Sequence, residues 1–279
     1  ESMHKNYGGT AGNIAYSLAL LKEYPFLFST VGNDFGEYEN RLNQLGVNTE
    51  HVHKYNNELT ASAHIITDKD KNQITAFHGG AMLKNDISIT PILEKVSPEV
   101  VIIAANGRDG MLKYVQELKA NKTKYIYDPG QSLPAFNGEE LLKLADGAFI
   151  TIMNEYEEEL FLKKTGINRE KFLEMVKYVI ITKGGKGSTI YSKGEEINVS
   201  IAKVKKILDP TGAGDSFRGG LLKGLINDLP IKDCAELATL TACYAIENVG
   251  TQSYFYTVDE FKQRFKENYG EKDYIERIF

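Results

Sequence analysis

Little in this sequence ties it to nucleic acid, to a membrane or to an oxidising compartment. Its 33 basic residues are outnumbered by 38 acidic ones, a formal charge of −5. No basic surface therefore calls for a polyanion, and neither nucleic acid nor a membrane is expected as a partner. No apolar run approaches the ~20 residues of a membrane span, and no signal-peptide pattern is expected from the opening residues. Cysteine is scarce: Cys234 and Cys243 show neither CxxC nor Cys/His spacing. That excludes a disulfide framework, and the two read as reduced, buried small hydrophobes in a helical stretch, as in a cytoplasmic protein. Internal repeats and low-complexity segments are absent. What remains is an ordinary soluble balance, 42% hydrophobic and 25% charged over 279 residues. That length allows one large α/β domain, or one domain with a small appendage.

Short β-branched runs alternate with amphipathic helical patterns. Residues 26–32 read as a strand, 34–45 as a helix closed by Gly46, 100–105 as a buried strand and 111–119 as a helix. Further strands are expected at 125–127, 148–153 and 178–182, and long helices at 213–227, 232–247 and 258–268. Continuous apolar strands between helices imply a mostly parallel sheet covered on both faces, an α/β fold. The segment 51–77 breaks this rhythm with three strand-like runs and a polar turn at Asp68–Asn72. It reads as an inserted hairpin able to cover a site at the strand ends, or as an edge meander of the main sheet. The domain division is thus 1–48 and 79–279 for the α/β body, with 49–78 as an inserted β lid.

The most informative stretch is Asp209-Pro-Thr-Gly-Ala-Gly-Asp215-Ser-Phe-Arg-Gly-Gly220. Gly212 and Gly214 let successive N–H groups turn into one concavity. Phe217, Leu221, Leu222 and Leu225 then recur at helical spacing, so the turn sits at a helix N-terminus, which favours an anion. The amides of Gly212, Ala213 and Gly214 are candidates to stabilise charge in phosphoryl transfer, and Asp215 to accept a proton from an attacking hydroxyl. A plain helix cap at Asp215 is the alternative.

Near the start, Tyr7-Gly-Gly-Thr-Ala-Gly-Asn13-Ile-Ala-Tyr-Ser runs from a glycine turn into an apolar helix. Gly8 and Gly9 permit a close ligand approach, and the Asn13 amide offers a donor and acceptors suited to sugar hydroxyls. The same string also reads as a helix start with small residues for packing. Two other readings fail. Lys183-Gly-Gly-Lys-Gly-Ser-Thr189 lacks the earlier glycine of a P-loop, and Gly9-Thr-Ala-Gly12 does not complete Gly-x-Gly-x-x-Gly.

The 209–220 string resembles the PfkB signature Asp-Thr-x-Gly-Ala-Gly-Asp-x-Phe, and 8–13 resembles the family's Gly-Gly-x-x-x-Asn. Two signatures in family order, about 200 residues apart, make the chain similar to the PfkB (ribokinase-like) carbohydrate kinases over essentially its whole length. The resemblance implies a ribokinase-like three-layer sandwich with a central, mostly parallel sheet and a small β lid. It implies an ATP-dependent kinase in which Asp215 deprotonates or orients a primary hydroxyl that attacks the γ-phosphate. Gly8, Gly9 and Asn13 would hold the ribose or sugar. Asn154 and Glu157, from Asn154-Glu-Tyr-Glu157, would organise phosphates and Mg²⁺, Glu157 through water. Its neighbours Glu155, Glu158 and Glu159 are expected to be surface acids. Thr182, Gly184 and Gly187, with Asn248 and Thr251 beside the adenine, would border the nucleotide together with Gly214. Asp209 and Thr211 match a monovalent-cation site, with K⁺ a further candidate ion.

Gly8-Gly-Thr-Ala-Gly-Asn13-Ile-Ala-Tyr, Thr67-Asp, Asn72–Phe77, Asp128-Pro-Gly-Gln131 and Glu247–Gln252 look most like the adenosine and nucleoside kinase branch. Phe77, with His78 and Met82, would wall an apolar base site or pack the lid. His51 and His53 share one strand face, a geometry that can bind zinc, without an evident third ligand. Relatives carry a strand before the first glycine motif, with an Asp for sugar hydroxyls. The residues ahead of Gly8 hold no such strand, so this chain is expected to lack it. A nucleoside is the expected substrate. A ribose- or fructose-type sugar kinase, a non-catalytic nucleoside-binding relative and, more remotely, a Rossmann-type oxidoreductase are the alternatives. The assembly is expected to be a monomer or a lid-mediated homodimer, since an exposed lid edge can pair.

Overall fold

The computed structural model describes residues 5–67 and 73–279; the expected polar turn at 68–72 lies outside the described residues. Helix α1 (Thr10–Leu20) leads into strand β1 (Ser29–Gly32), α2 (Gly36–Gln44) and β2 (Val52–Tyr55). Strands β3 (Ser62–Thr67) and β4 (Gln73–His78) follow, and then an alternation begins: α3 (Thr90–Val96), β5 (Val101–Ile103), α4 (Arg108–Ala120), β6 (Tyr125–Tyr127) and α5 (Gly138–Ala145). It continues through β7 (Ile150–Asn154), α6 (Glu155–Thr165), α7 (Arg169–Phe172) and β8 (Tyr178–Thr182). After β9 (Ser188–Ser192) and β10 (Glu195–Val199) come α8 (Ala213–Ile226), α9 (Ile231–Ile246), α10 (Val258–Tyr269) and α11 (Tyr274–Arg277).

The main sheet has the order β10-β9-β8-β7-β6-β5, with β5 to β8 parallel and β9 and β10 added as an antiparallel meander. Side-chain alternation along its strands divides the core. Ile126, Ile150, Ile152 and Ile180 pack against Leu18, Leu221 and Leu237 from α1, α8 and α9. On the other face Tyr125, Tyr127, Met153, Val179 and Ile181 meet Met111, Leu141 and Phe161 from α4, α5 and α6. Three layers result, as expected of strands that are apolar on both faces. At ~25 cal/mol per Å², each fully buried side chain of this kind contributes about 2 kcal/mol.

Strand β1 pairs in parallel with β2 as a separate two-stranded sheet. The expected strand at 26–32 forms only from Ser29, since Phe26 makes a lone bridge to Asn48. The segment expected as an insertion therefore splits. Its first run joins β1, and only β3 and β4 form an antiparallel hairpin, pairing Ala63 with Phe77 and Ile66 with Ile74. The hairpin's root is tight: a Cβ on Gly32 would lie 2.3 Å from the Leu59 backbone, and one on Gly80 2.1 Å from the Leu59 carbonyl. The Asp34 carboxylate accepts the Thr60 N–H at 2.8 Å and its hydroxyl at 2.6 Å. His51 stacks on Phe26, and His53 meets Tyr55 edge to face. No group of three metal-capable side chains occurs among the described residues.

Helix α8 reaches its place because it is poor in side chains where it crosses its neighbours. A Cβ on Gly219 would sit 2.4 Å from Ser17 Cβ, and one on Gly220 2.5 Å from Ala238 Cα. Gly220→Ala should therefore prise α8 from α9 and cost about 2 kcal/mol or more by urea unfolding. Gly36→Ala, with open space around it, should be neutral or slightly stabilising. Equal effects at the two positions would contradict this packing.

Candidate functional site

The carboxyl ends of parallel strands are where α/β sites assemble. Here Asp128 directly follows β6, while β7 ends at Asn154 and β8 at Thr182, the last two being register partners. The start of α8 faces this edge. Gly212 is its N-cap in the left-handed region, φ 79°, and a Cβ there would lie 2.9 Å from Thr251 Cγ2. The Ala213 N–H donates to the Pro210 carbonyl at 3.2 Å, closing the turn. Ala213 thus has its amide committed, whereas those of Gly212 and Gly214 have no partner among the described residues.

Asp215, in the first turn, is half-buried. Its Oδ2 accepts a hydrogen bond from Asn13 Nδ2 at 2.7 Å, which joins two segments 202 residues apart. Burial pushes the Asp215 pKa up to about 6, against the Asn13 hydrogen bond and the Arg218 guanidinium, which pull it down; Asp128 adds to the rise. Asn13 stands on α1, whose N-cap Gly9 has φ 87° and whose first turn closes from Asn13 N–H to the Gly9 carbonyl at 2.9 Å. The Gly8 carbonyl accepts from the Tyr38 hydroxyl at 3.0 Å. Both glycines thus lie beside Asn13, as the sequence suggested.

One turn after Asp215, the buried Arg218 donates through Nε and Nη2 to the Asp128 carboxylate, both at 2.7 Å, and through Nη1 to the Gly214 carbonyl at 3.0 Å. Neither member of this pair was singled out for the site from sequence. The signal was a cation inside the apolar stretch Phe217–Leu222, because a charge on a buried helix face needs a partner.

The remaining candidates surround this centre. Asp209 accepts from the Thr211 N–H at 2.9 Å and the Gly250 N–H at 3.0 Å, tying together the two loops that hold Thr211 and Thr251. Burial pushes its pKa up, but these hydrogen bonds outweigh that and leave it lowered. Thr251 Oγ1 donates to the Tyr7 carbonyl, and Asn248 Nδ2 to the Tyr244 carbonyl, each at 2.9 Å. Asn154 and Glu157 form a capping box on α6, with bonds of 2.8 and 2.9 Å. Burial raises the Glu157 pKa, while Arg218 opposes the rise. Gly184 and Gly187 shape the turn after Thr182, where Gly187 presses on the Val199 carbonyl. Glu158, expected at the surface, is buried because Arg169 pairs with both its oxygens, at 2.7 and 2.8 Å. Phe77 stands apart on β4, 60% exposed.

Residues 1–257 match the pfkB family of carbohydrate kinases. The chain is similar to a nucleoside kinase of Methanocaldococcus jannaschii, 35% identical over 269 residues, which is 96% of this chain and 88% of that protein. A solved structure of Burkholderia thailandensis nucleoside kinase in complex with inosine superimposes with a TM-score of 0.92 at 35% identity, covering 97% of this chain and 91% of that one. The same kinase in complex with ADP-inosine gives 0.91 at 35% identity, covering 98% and 85%.

Asp215 holds its proton more tightly folded than unfolded. Its stabilising contribution is complete below about pH 4 and is lost as pH rises through about 6. Asp215→Asn cannot ionise, so its melting temperature should gain on that of the unaltered protein between pH 4 and pH 7. A difference that stays constant with pH would mean that the carboxyl titrates normally.

Proposed function

The chain belongs to the pfkB family of carbohydrate kinases, and we propose that it transfers the γ-phosphoryl group of ATP to the primary ribose hydroxyl of a nucleoside. The observation that carries this reading is the Asp215 carboxylate, held by Asn13 beside the two unpaired amides at the start of α8. One relative, solved with inosine and with ADP-inosine, supports the nucleoside and the nucleotide. Asp215 takes the hydroxyl proton as that oxygen bonds to the γ-phosphorus and the bond to ADP breaks. The amides of Gly212 and Gly214 lie where negative charge grows, and the N-terminus of α8 adds its dipole.

Magnesium fits this arrangement as an ion carried mainly by the triphosphate, because no three-residue metal cage exists among the described residues. Bound there, it would neutralise phosphate charge. Glu157 keeps Oε1 outside its capping box and would hold it through water, and Asn154 keeps Nδ2 for a phosphate oxygen. The nucleotide would lie along Thr182, Gly184 and Gly187 towards Asn248 and Thr251. For K⁺, Asp209 spends both oxygens on backbone N–H groups, so it and Thr211 would shape a site formed by carbonyls. Cytoplasmic ATP, and the free, buried thiols of Cys234 and Cys243, fit a cytoplasmic setting.

The β3–β4 hairpin serves as the lid in this reading, and Phe77 as a stacking surface for the base. Ile66 and Ile74, 70% and 73% exposed, occupy one face, and Ile65 and Phe77 the other. One bound nucleoside covers one face only, and the second suits a homodimer formed lid to lid.

Asp215→Asn should bind ATP nearly as tightly as the unaltered enzyme yet turn over about 100-fold or more slowly with adenosine or inosine. In the unaltered enzyme, kcat/KM should fall as pH drops below about 6. Near-normal turnover would remove Asp215 from the base role. Exchange of Ile66 and Ile74 for serine should yield monomers in analytical ultracentrifugation; an unchanged mass would place the contact elsewhere.

A further inference from the structure

We infer that Gln252 is a positioning residue for this reaction: through Asn13 it fixes the sense in which a hydrogen bond is donated to Asp215. The inference rests on reading Asp215 as the base. Gln252 is 4% exposed, and its Nε2 donates to Asn13 Oδ1 at 3.0 Å and also to the Tyr38 hydroxyl. That hydroxyl passes its own proton to the Gly8 carbonyl at 3.0 Å. Because the Asn13 oxygen is met by a donor, its Nδ2 is left to face Asp215 Oδ2 at 2.7 Å. An amide has one donor end and one acceptor end. Turned over, Asn13 would set oxygen against carboxylate oxygen, an arrangement that requires a protonated Asp215.

The Gln252 backbone is anchored as well. Arg41 donates to its backbone carbonyl at 2.9 Å. Its side-chain Oε1 is buried without a partner among the described residues. A glutamine that merely filled space would turn to satisfy that oxygen, since a buried unpaired acceptor is costly. Turned, it would set its oxygen against Asn13 Oδ1, and Asn13 would have to turn with it and take its donor away from Asp215. The observed sense keeps two donations from Nε2 and points the line of donors at the carboxylate. Asn13 is the only side-chain donor to Asp215 among the described residues. The other groups facing it act through space or through partners: Arg218 and Asp128, Glu157 beyond them, and the Tyr38 and Tyr254 hydroxyls, with Arg41 behind Gln252.

The test is a direct titration of the Asp215 carboxyl carbon by ¹³C NMR in the full-length chain, assigned with Asp215→Asn, alongside the pH profile of kcat/KM. Gln252→Leu should raise the midpoint by about one pH unit. Gln252→Glu, which has the same shape but only accepts, should raise it further. At pH 6 kcat/KM should fall about 5-fold in Gln252→Leu and further in Gln252→Glu, recovering towards pH 8 in both. Tyr38→Phe leaves the Asn13 link intact and should shift the midpoint less. Folded variants with an unmoved midpoint would overturn the inference, as would a lower melting temperature with no titration shift, which marks a purely structural role. A shifted midpoint in a chain that phosphorylates no nucleoside would uphold the relay and sink the kinase reading.

Discussion

Arg218 grips Asp128 through two bonds of 2.7 Å in the protein interior, and the position of the site follows from that grip. Asp128 directly follows β6 and Arg218 lies one turn into α8, so the pair fixes the helix start against the edge where three parallel strands end. The third donor of the guanidinium holds the Gly214 carbonyl, within the turn that presents the unpaired amides. Loss of either partner would leave an uncompensated charge in the core. The same cation draws the Asp215 and Glu157 pKa values downward, and so moderates what burial does to both carboxyls.

Elsewhere α8 is held mainly by close contact, with one further buried cation, Lys223, paired to Glu23. Gly219 admits Ser17 of α1, Gly220 admits the α9 backbone, and Gly224 admits Cys234. The Tyr254 hydroxyl binds both Ser17, at 2.5 Å, and Ser216, at 2.9 Å, stitching α1 to α8 directly beneath the Asn13–Asp215 contact. Catalytic geometry tolerates little play. A helix with almost no side chain between it and its neighbours has little room to shift.

Much of this was legible in the residues. The apolar runs at 125–127 and 178–182 became strands at those positions, because strands buried on both faces carry an unmixed signal. The Gly212–Asp215 turn and the Gly8–Asn13 turn each declared a helix start, and the two meet. Segment 51–55 was harder: its exposed, mixed side chains gave no partner, and pairing with β1 depends on a contact remote in sequence. Glu158 looked like its acidic neighbours until Arg169 covered it. Gln252, among small and polar neighbours, gave no sign of its burial, and Arg218 escaped for a related reason. A polar residue inside an apolar context advertises that it has a partner, not which one.

Gly212 touches Thr251, and the residue after Thr251 is Gln252. One short loop thus borders the amides assigned to the phosphate and, a residue later, the amide that aims Asn13 at the base. Donor and acceptor substrates of a transfer reaction usually sit on separate walls and communicate through large movements. On the proposed reading they would share a partition one peptide unit thick in this chain, and a phosphate bound on one side would bear on how the acceptor's alcohol is received on the other. Linkage makes such an exchange symmetrical: whatever the nucleotide does for the affinity of the nucleoside, the nucleoside does equally for that of the nucleotide.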